Sequence, residues 1–350
     1  MTAWRDAFAM QAKACRALGS PLTARICEQL APILEAGDDA LARRVRTWPG
    51  DPSYRADSVP LRLCGALHAL VLNGDDPKLA QAYAEANDAV LHRSISQAIQ
   101  DNQSRILEWI EHAPQTNEVA RAAVLIAAGR FLAGLLGRCR LDLLELGASA
   151  GLNLNFPRYS LVANTEHDPP FLGERQPEVW LSPEWRGTIP AHALLATGAA
   201  RGVDLNPLDP ARDGLRLLSY IWPDQRARLE RMQAALALAE RYPPRVDRGD
   251  AADWLPARLA ESCPHGRLVY HTVAAQYFPA ATRGRIEAAL QDAGAKASPE
   301  RPLAHLSMEA DGGEGAALAL RLWAGGGMRR WSLGRADFHA RWIDWQPKET

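Results

Sequence analysis

The chain has 350 residues, more than one ordinary domain, so a core domain of about 200 residues with a second module is expected. Apolar residues make up 47% and charged residues 23%, a balance that excludes general disorder. Forty basic residues against forty-one acidic ones give a formal charge of −1, which excludes a global field for nucleic acid or an anionic membrane and makes a small molecule or a protein the expected partner, a small-molecule substrate first.

The N-terminus MTAWRDAFAMQAKACRALG is an amphipathic helical pattern interrupted by Arg5, Asp6, Lys13 and Arg16, without the features of a signal peptide. No apolar run is read as approaching the roughly 20 residues that span a bilayer. Five cysteines stand at 15, 27, 64, 139 and 263 without a C-x-x-C, and no close Cys/His cluster is read. That argues against a disulfide framework or a zinc site and fits a reducing, cytoplasmic location. From residue 1 to 137 apolar residues recur at helical spacing, as in VPLRLCGALHALVL (59–72) and EVARAAVLIAAGRFLAGLL (118–136), with breaks at 48–54, 73–77 and 113–116. This predicts an N-terminal helical module, 1–137, whose last helix Thr116 can cap.

After residue 137 the pattern alternates between short apolar runs and helical segments, which predicts an α/β domain over 138–350 built on a parallel sheet. The expected strands are LDLLEL (141–146), GVDL (202–205), VDRGD (246–250), LVYHTV (268–273) and LAHLSMEA (303–310). Between them fall a helical region at 216–242, kinked or restarted at Pro223, and helices at 253–261 and 283–294. ALALRLWA (317–324), GGG (325–327) and MRRWSLG (328–334) read as an antiparallel hairpin at one edge, and an insert at 155–198 carrying PRYSLVA, DPPF and VWLSPEW reads as a hairpin or flap.

Ligands in open α/β sheets settle beyond the carboxyl ends of the strands, so the informative residues are those that follow each strand. After the first come Glu145, Gly147, Ala148, Ser149, Ala150 and Gly151; after the second, Asp204, Leu205, Asn206 and Pro207; after the third, Gly249, Asp250 and Ala251; after the fourth, His271, Thr272, Gln276 and Tyr277. Glycines at 147 and 151 permit a sharp turn and a close backbone approach to a ligand. Asp204 is placed to accept from ribose hydroxyls, Asp250 from an adenine amine. His271 is the acid/base candidate, with Gln276 and Tyr277 orienting a substrate.

Structural roles compete at each position. The glycines serve equally in a plain strand-to-helix turn, Asp204 and Asp250 as helix caps, Glu145 as a salt-bridge partner of Arg121, and His271 as a loop support. His305 and His339 lack metal spacing, so no metal site is expected. The loop is neither G-x-G-x-x-G nor a P-loop, but Gly147-Ala148-Ser149-Ala150-Gly151 satisfies G-x-S-x-G literally. A serine hydrolase is therefore the rival enzyme, with Asp250 and His271, or His305 and His339, as nominated partners. A non-catalytic binding or scaffold protein is the third possibility.

The ordered set ELGASAG, GVDLNP and RGDAADW, followed by the terminal hairpin, resembles a class I S-adenosylmethionine-dependent methyltransferase over about 138–334. With QTNEVAR (115–121), GLNLNFPRY (151–159), DLNPLD (204–209), SYIWPDQ (219–225) and YHTVAAQY (270–277), the chain resembles the bacterial domain-of-unknown-function 2332 family. The first resemblance implies a Rossmann-like, seven-stranded methyltransferase-type sheet. It also implies S-adenosylmethionine held by Glu145, Gly147, Ala148, Ser149, Gly151, Asp204, Leu205, Asp250 and Ala251, with Asn117 and Arg121 reaching over the pocket. The reaction it implies is methyl transfer to a small-molecule or protein acceptor. The second brings no established reaction. Two departures stand out: Ser149 occupies a usual glycine position, and the insert must be looped out before the second strand.

Overall fold

In the computed structural model residues 3–137, 139–163, 171–173, 177–190 and 193–350 are described. The chain forms two compact units, Met1–Thr116 with Arg212–Gln233, and Asn117–Ala211 with Ala234–Thr350.

The first unit is helical: α1 (Ala3–Ala17), α2 (Pro21–Ala36), α3 (Ala40–Arg46), α4 (Val59–Leu72), α5 (Pro77–Ala84), α6 (Asp88–Asp101) and α7 (Gln103–Ile110). Side-chain oxygens of Ser20, Asp39, Asp76 and Asn87 accept amide protons from the first turns of α2, α3, α5 and α6, and proline opens α2 and α5. The apolar stripes meet in one core that includes Phe8, Ile26, Leu30, Leu63, Leu67 and Ile95.

The second unit begins with α8 (Ala122–Leu136) and β1 (Arg140–Leu146), followed by β2 (Ser160–Val162), β3 (Phe171–Gly173), β4 (Trp180–Leu181), β5 (Glu184–Gly187) and β6 (Ala196–Asp204). Next in the chain come helices α9 (Pro210–Ser219) and α10 (Arg226–Arg241), whose residues 212–233 belong to the first unit, broken across Pro223 as its fixed φ and missing N–H require. The remaining elements are β7 (Val246–Arg248), α11 (Ala251–Ala260), β8 (Gly266–Thr272), α12 (Ala280–Gly294), β9 (Leu303–Ala310), β10 (Ala316–Trp323), β11 (Met328–Ala336) and β12 (Trp342–Glu349).

The main sheet has nine described strands in the order β5-β12-β11-β10-β9-β8-β1-β6-β7, where the sequence predicts seven. Strands β7, β6, β1, β8 and β9 are parallel, and β9 to β12 form an antiparallel meander. The two additional strands come from pairing: β12 lies against β11, and β5, from the insert, pairs parallel to β12 at the outer edge. The rest of the insert makes a three-stranded sheet, with β2 antiparallel to β3 and parallel to β4. Of DPPF, residues 168–170 lie outside the described residues.

Helices α11 and α12 cover one face through Leu255, Ile286 and Leu290 over Leu144, Val203 and Val269. On the other face Phe131 of α8 meets Trp331 and Trp345 edge-on, with ring centroids 5.8 and 6.5 Å apart. These contacts place α8 in the second unit, so the expected division at residue 137 moves to 116, and residues 212–233 join the first unit. The short turn before α8 is capped by Glu118, whose carboxylate accepts from the Ala120 amide, rather than by Thr116. Against the sequence expectation, Val119–Leu136 is long and apolar enough to cross a membrane, yet 72% of it is buried in the protein as a core helix.

Candidate functional site

Strand order reverses at β1: the chain passes from β1 to β6 and β7 on one side, then returns to β8 on the other. This is the topological switch at whose carboxyl edge α/β sheets bind ligands. The loops after β1, β6 and β8 meet there.

The loop after β1 is folded back on the protein. Gly147 and Gly151 take left-handed φ values of +70° and +71°. A Cβ at Gly147 would lie 2.7 Å from the Ala274 Cβ, and one at Gly151 would lie 2.6 Å from Val246 Cγ2. These glycines thus permit a close approach to Ala274 and to Val246 at the start of β7. Ser149 is also left-handed, at φ +53°, without being glycine. Across the switch Val273 has φ +54°, a conformation that its β-branched side chain disfavours.

Asp204 holds this geometry. Its Oδ2 accepts the Ser149 amide at 2.8 Å and its Oδ1 the Asn206 amide at 2.8 Å. The amides of Gly147 and Ala148 donate to the Val203 carbonyl, Gly151 donates to Ala148, and Leu152 donates to Asn117 Oδ1 at 2.9 Å. Five loop amides are thus bonded within the protein, so backbone N–H groups at these positions do not form an open cradle. Asn117 serves the loop and does not reach over it. Arg121 donates to the carbonyls of Phe338 and Thr272, at 2.8 and 3.1 Å, fastening its turn to the end of β8.

Asp250 takes the alternative role considered for it: its Oδ1 caps α11 through the Ala252 amide at 2.7 Å, with Ala251 buried as the first helical residue. Leu205 stands beside Asp204 and is 64% exposed, whereas Gln276 is exposed and Tyr277 is 77% exposed on the turn after β8.

Glu145 is buried in β1, with the Tyr270 hydroxyl 3.5 Å away. Burial above all pushes its carboxyl well above the usual range; the Asp204 charge adds to this, while Tyr270 and the Arg121 charge oppose it.

His271 does not present a free nitrogen. Arg321, always a donor, gives its Nη2 proton to His305 Nδ1 at 2.9 Å, so His305 is protonated on Nε2. That proton goes to His271 Nε2 at 3.1 Å, leaving His271 Nδ1 to donate to Glu309 Oε1 at 2.7 Å. Arg321 also donates to Glu287 at 2.6 Å, and the chain of bonds crosses β8, β9 and β10. Burial pushes Glu309 up, but bonds from His271 and the amides of Ala274 and Ala275 overcome it and hold the carboxyl below its usual range. Burial, then the neighbouring His271 and Arg321, holds His305 well below the usual histidine range. Both ring nitrogens of His271 are engaged, as the loop-support role requires. The Asp250–His271 pair nominated for a hydrolase is not assembled, since Asp250 caps a helix and His271 faces Glu309.

Two buried oxygens, Asn153 Oδ1 and Glu309 Oε2, have no partner among the described residues. At the opposite, amino end of the strands the expectation of no Cys/His cluster is corrected. Ligating atoms of Asp142, Cys263 and His265 lie within 4.8 Å of one another.

Comparison with curated proteins gives no match. A solved structure described as a DhpI-SAM-HEP complex is 14% identical, covers 56% of this chain and has a TM-score of 0.23. The chain spans 64% of that structure's own chain. The profile of the family described as "Uncharacterized protein conserved in bacteria (DUF2332)" matches residues 5–345, nearly the full length, and the chain belongs to that family.

Proposed function

We propose that the carboxyl edge of β1, β6 and β8 binds S-adenosylmethionine and that the protein transfers its methyl group to a small-molecule acceptor. One observation carries this reading: left-handed Ser149 and Val273 stand on the two sides of the topological switch, and such costly backbone concentrates at binding and catalytic sites. The residues fit the cofactor in a particular way. Each Asp204 oxygen accepts one amide and retains acceptor capacity for a ribose hydroxyl, and exposed Leu205 offers an apolar face to the adenine. The unpartnered Asn153 and Glu309 oxygens suit donor groups of the ligand. Because loop amides at 147–149 and 151–152 are already bonded, side chains would hold the cofactor rather than a backbone cradle.

When bound, the sulfonium supplies an activated methyl group. The chain's contribution is alignment and exclusion of water, with Tyr277 and Gln276 positioned to orient the acceptor. No dedicated base is required. Isothermal titration with S-adenosylmethionine and S-adenosylhomocysteine tests the reading. Binding is expected to raise the unfolding temperature, by linkage worth about 2.7 kcal/mol at a hundredfold excess over Kd. Absence of both heat and thermal shift would overturn it.

A second reading rests on Ser149 φ +53° within a literal G-x-S-x-G, the strained turn of a nucleophilic serine, although Ser149 is buried here. It predicts labelling by a fluorophosphonate probe that is lost in Ser149→Ala; an unlabelled wild-type protein rejects it.

A further inference from the structure

The amino end of the parallel strands holds a convergence that the glycine loop does not explain. Asp142 is the third residue of β1, and Cys263 and His265 come immediately before β8, which pairs parallel to β1. Cys263 Sγ lies 3.1 Å from Asp142 Oδ2, and His265 Nδ1 lies 3.2 Å from Asp142 Oδ1. In a zinc tetrahedron with bonds of about 2.0–2.3 Å, neighbouring ligand atoms stand ~3.4–3.6 Å apart. The two spacings run to different oxygens of Asp142, and with one ligand atom from each residue the three lie within 4.8 Å of one another, so small side-chain adjustments about the carboxylate are needed to seat the ion.

Local backbone is arranged around this carboxylate. The β1–β6 register slips between Leu141 and Leu143, so β6 bulges opposite Asp142, and bulges characteristically re-aim side chains near functional sites. At the bulge Asp142 Oδ1 accepts the Ala199 amide at 2.9 Å. It also fills the space of the missing Gly198 side chain, where a Cβ would lie 1.9 Å away. An orienting hydrogen bond of this kind is what metal-ligating carboxylates receive from their surroundings. Cys263 and His265 line a cavity of about 410 Å³, together with Lys296 and Arg301.

We propose that Asp142, Cys263 and His265 bind one Zn²⁺, whose fourth position opens to this cavity and takes a small anionic ligand. One thiolate and one carboxylate balance the dication, and the mixed S/N/O set selects zinc over the hard ions magnesium and calcium. Three protein ligands with an open fourth position are the arrangement of catalytic rather than structural zinc. The site is independent of the S-adenosylmethionine reading, whose failure leaves it standing.

Titration of the metal-free full-length protein with Co²⁺ tests the proposal. One equivalent is expected to produce four-coordinate absorption with a thiolate-to-cobalt charge-transfer band, displaced by Zn²⁺. Azide should shift the visible bands, because it enters the open position. Cys263→Ser abolishes the charge-transfer band. Gly198→Ala, whose methyl meets the Asp142 carboxylate and lies 3.1 Å from His265 Nδ1, weakens binding at least roughly tenfold with an unchanged circular dichroism spectrum. No cobalt uptake overturns the site, as does a band that survives in Cys263→Ser, which would assign the metal to other thiols. A spectrum unmoved by azide overturns the open position.

Discussion

The two ends of the same parallel strands solve opposite problems. At the carboxyl end Asp204 spends its carboxylate on backbone amides, and the loop after β1 is closed by Ala274, Val246 and its own hydrogen bonds. At the amino end Asp142 faces two side chains, a thiol and an imidazole, beside a cavity. Topology favours the first end as a ligand site, while the convergence of metal-ligating atoms favours the second. Backbone rigidity marks one end and side-chain chemistry the other.

The largest effects should separate them. Gly147→Ala places a Cβ 2.7 Å from Ala274 in a left-handed conformation, so a stability loss on the order of 3 kcal/mol is expected. Gly198→Ala at the amino end meets only side-chain ends, the Asp142 carboxylate and the His265 ring, and should cost about 1 kcal/mol or less. Urea midpoints measure both; equal losses would break the contrast.

Next in size is Asp204→Ala, which frees two loop amides at once. A loss of about 2 kcal/mol is expected, with Asp204→Asn recovering part of it through its remaining carbonyl acceptor. Limited proteolysis should show cleavage near 148–152 in the alanine variant alone; an intact loop would mean that the glycine packing, and not Asp204, holds it.

Much of this fold is legible in the sequence because buried parallel strands are continuous apolar runs. LAHLSMEA at 303–310 coincides with β9, and β1, β7 and β8 overlap their expected runs, whereas β6 (Ala196–Asp204) starts six residues before the expected GVDL, inside the stretch read as the end of the insert. Strand β5 is short and largely polar, Glu-Trp-Arg-Gly, and exists because it pairs with β12, a contact between residues about 160 positions apart. The position of His271 near a strand end is equally visible, but its engagement is not. It depends on the register that sets Val269 against His305 and His271 against Ser307, which no local pattern encodes. The amino-end cluster shows the same divide: Cys263-Pro264-His265 is a readable signal, whereas Asp142 joins it only through β1–β8 pairing.

A smaller effect appears as a pH slope. The Glu145 carboxyl is raised in the folded protein by burial, from an ordinary value of 4.5. Below that value folded and unfolded chains both hold the proton; above it the unfolded chain ionises first, so stability falls as pH rises toward the folded value. Glu145→Gln removes this titration. Relative to the parent, the variant should gain stability as pH rises above the ordinary carboxyl range in urea unfolding, and a constant difference would show that the carboxyl is not raised in the folded protein.

The smallest change addresses Ser149. Glycine at this position relieves a left-handed serine by about 1 kcal/mol but returns about 0.5–1 kcal/mol of entropy to the unfolded chain, so Ser149→Gly should leave stability within ~0.5 kcal/mol. The Ser149 amide still reaches Asp204, because that bond is made by the backbone. The variant therefore isolates the hydroxyl. If the thermal shift induced by S-adenosylhomocysteine is unchanged, serine merely stands in a glycine's place and the loop's work is done by its backbone. If the shift is lost while the fold persists, the hydroxyl itself contacts the ligand, and the carboxyl end joins the amino end as a site defined by side chains.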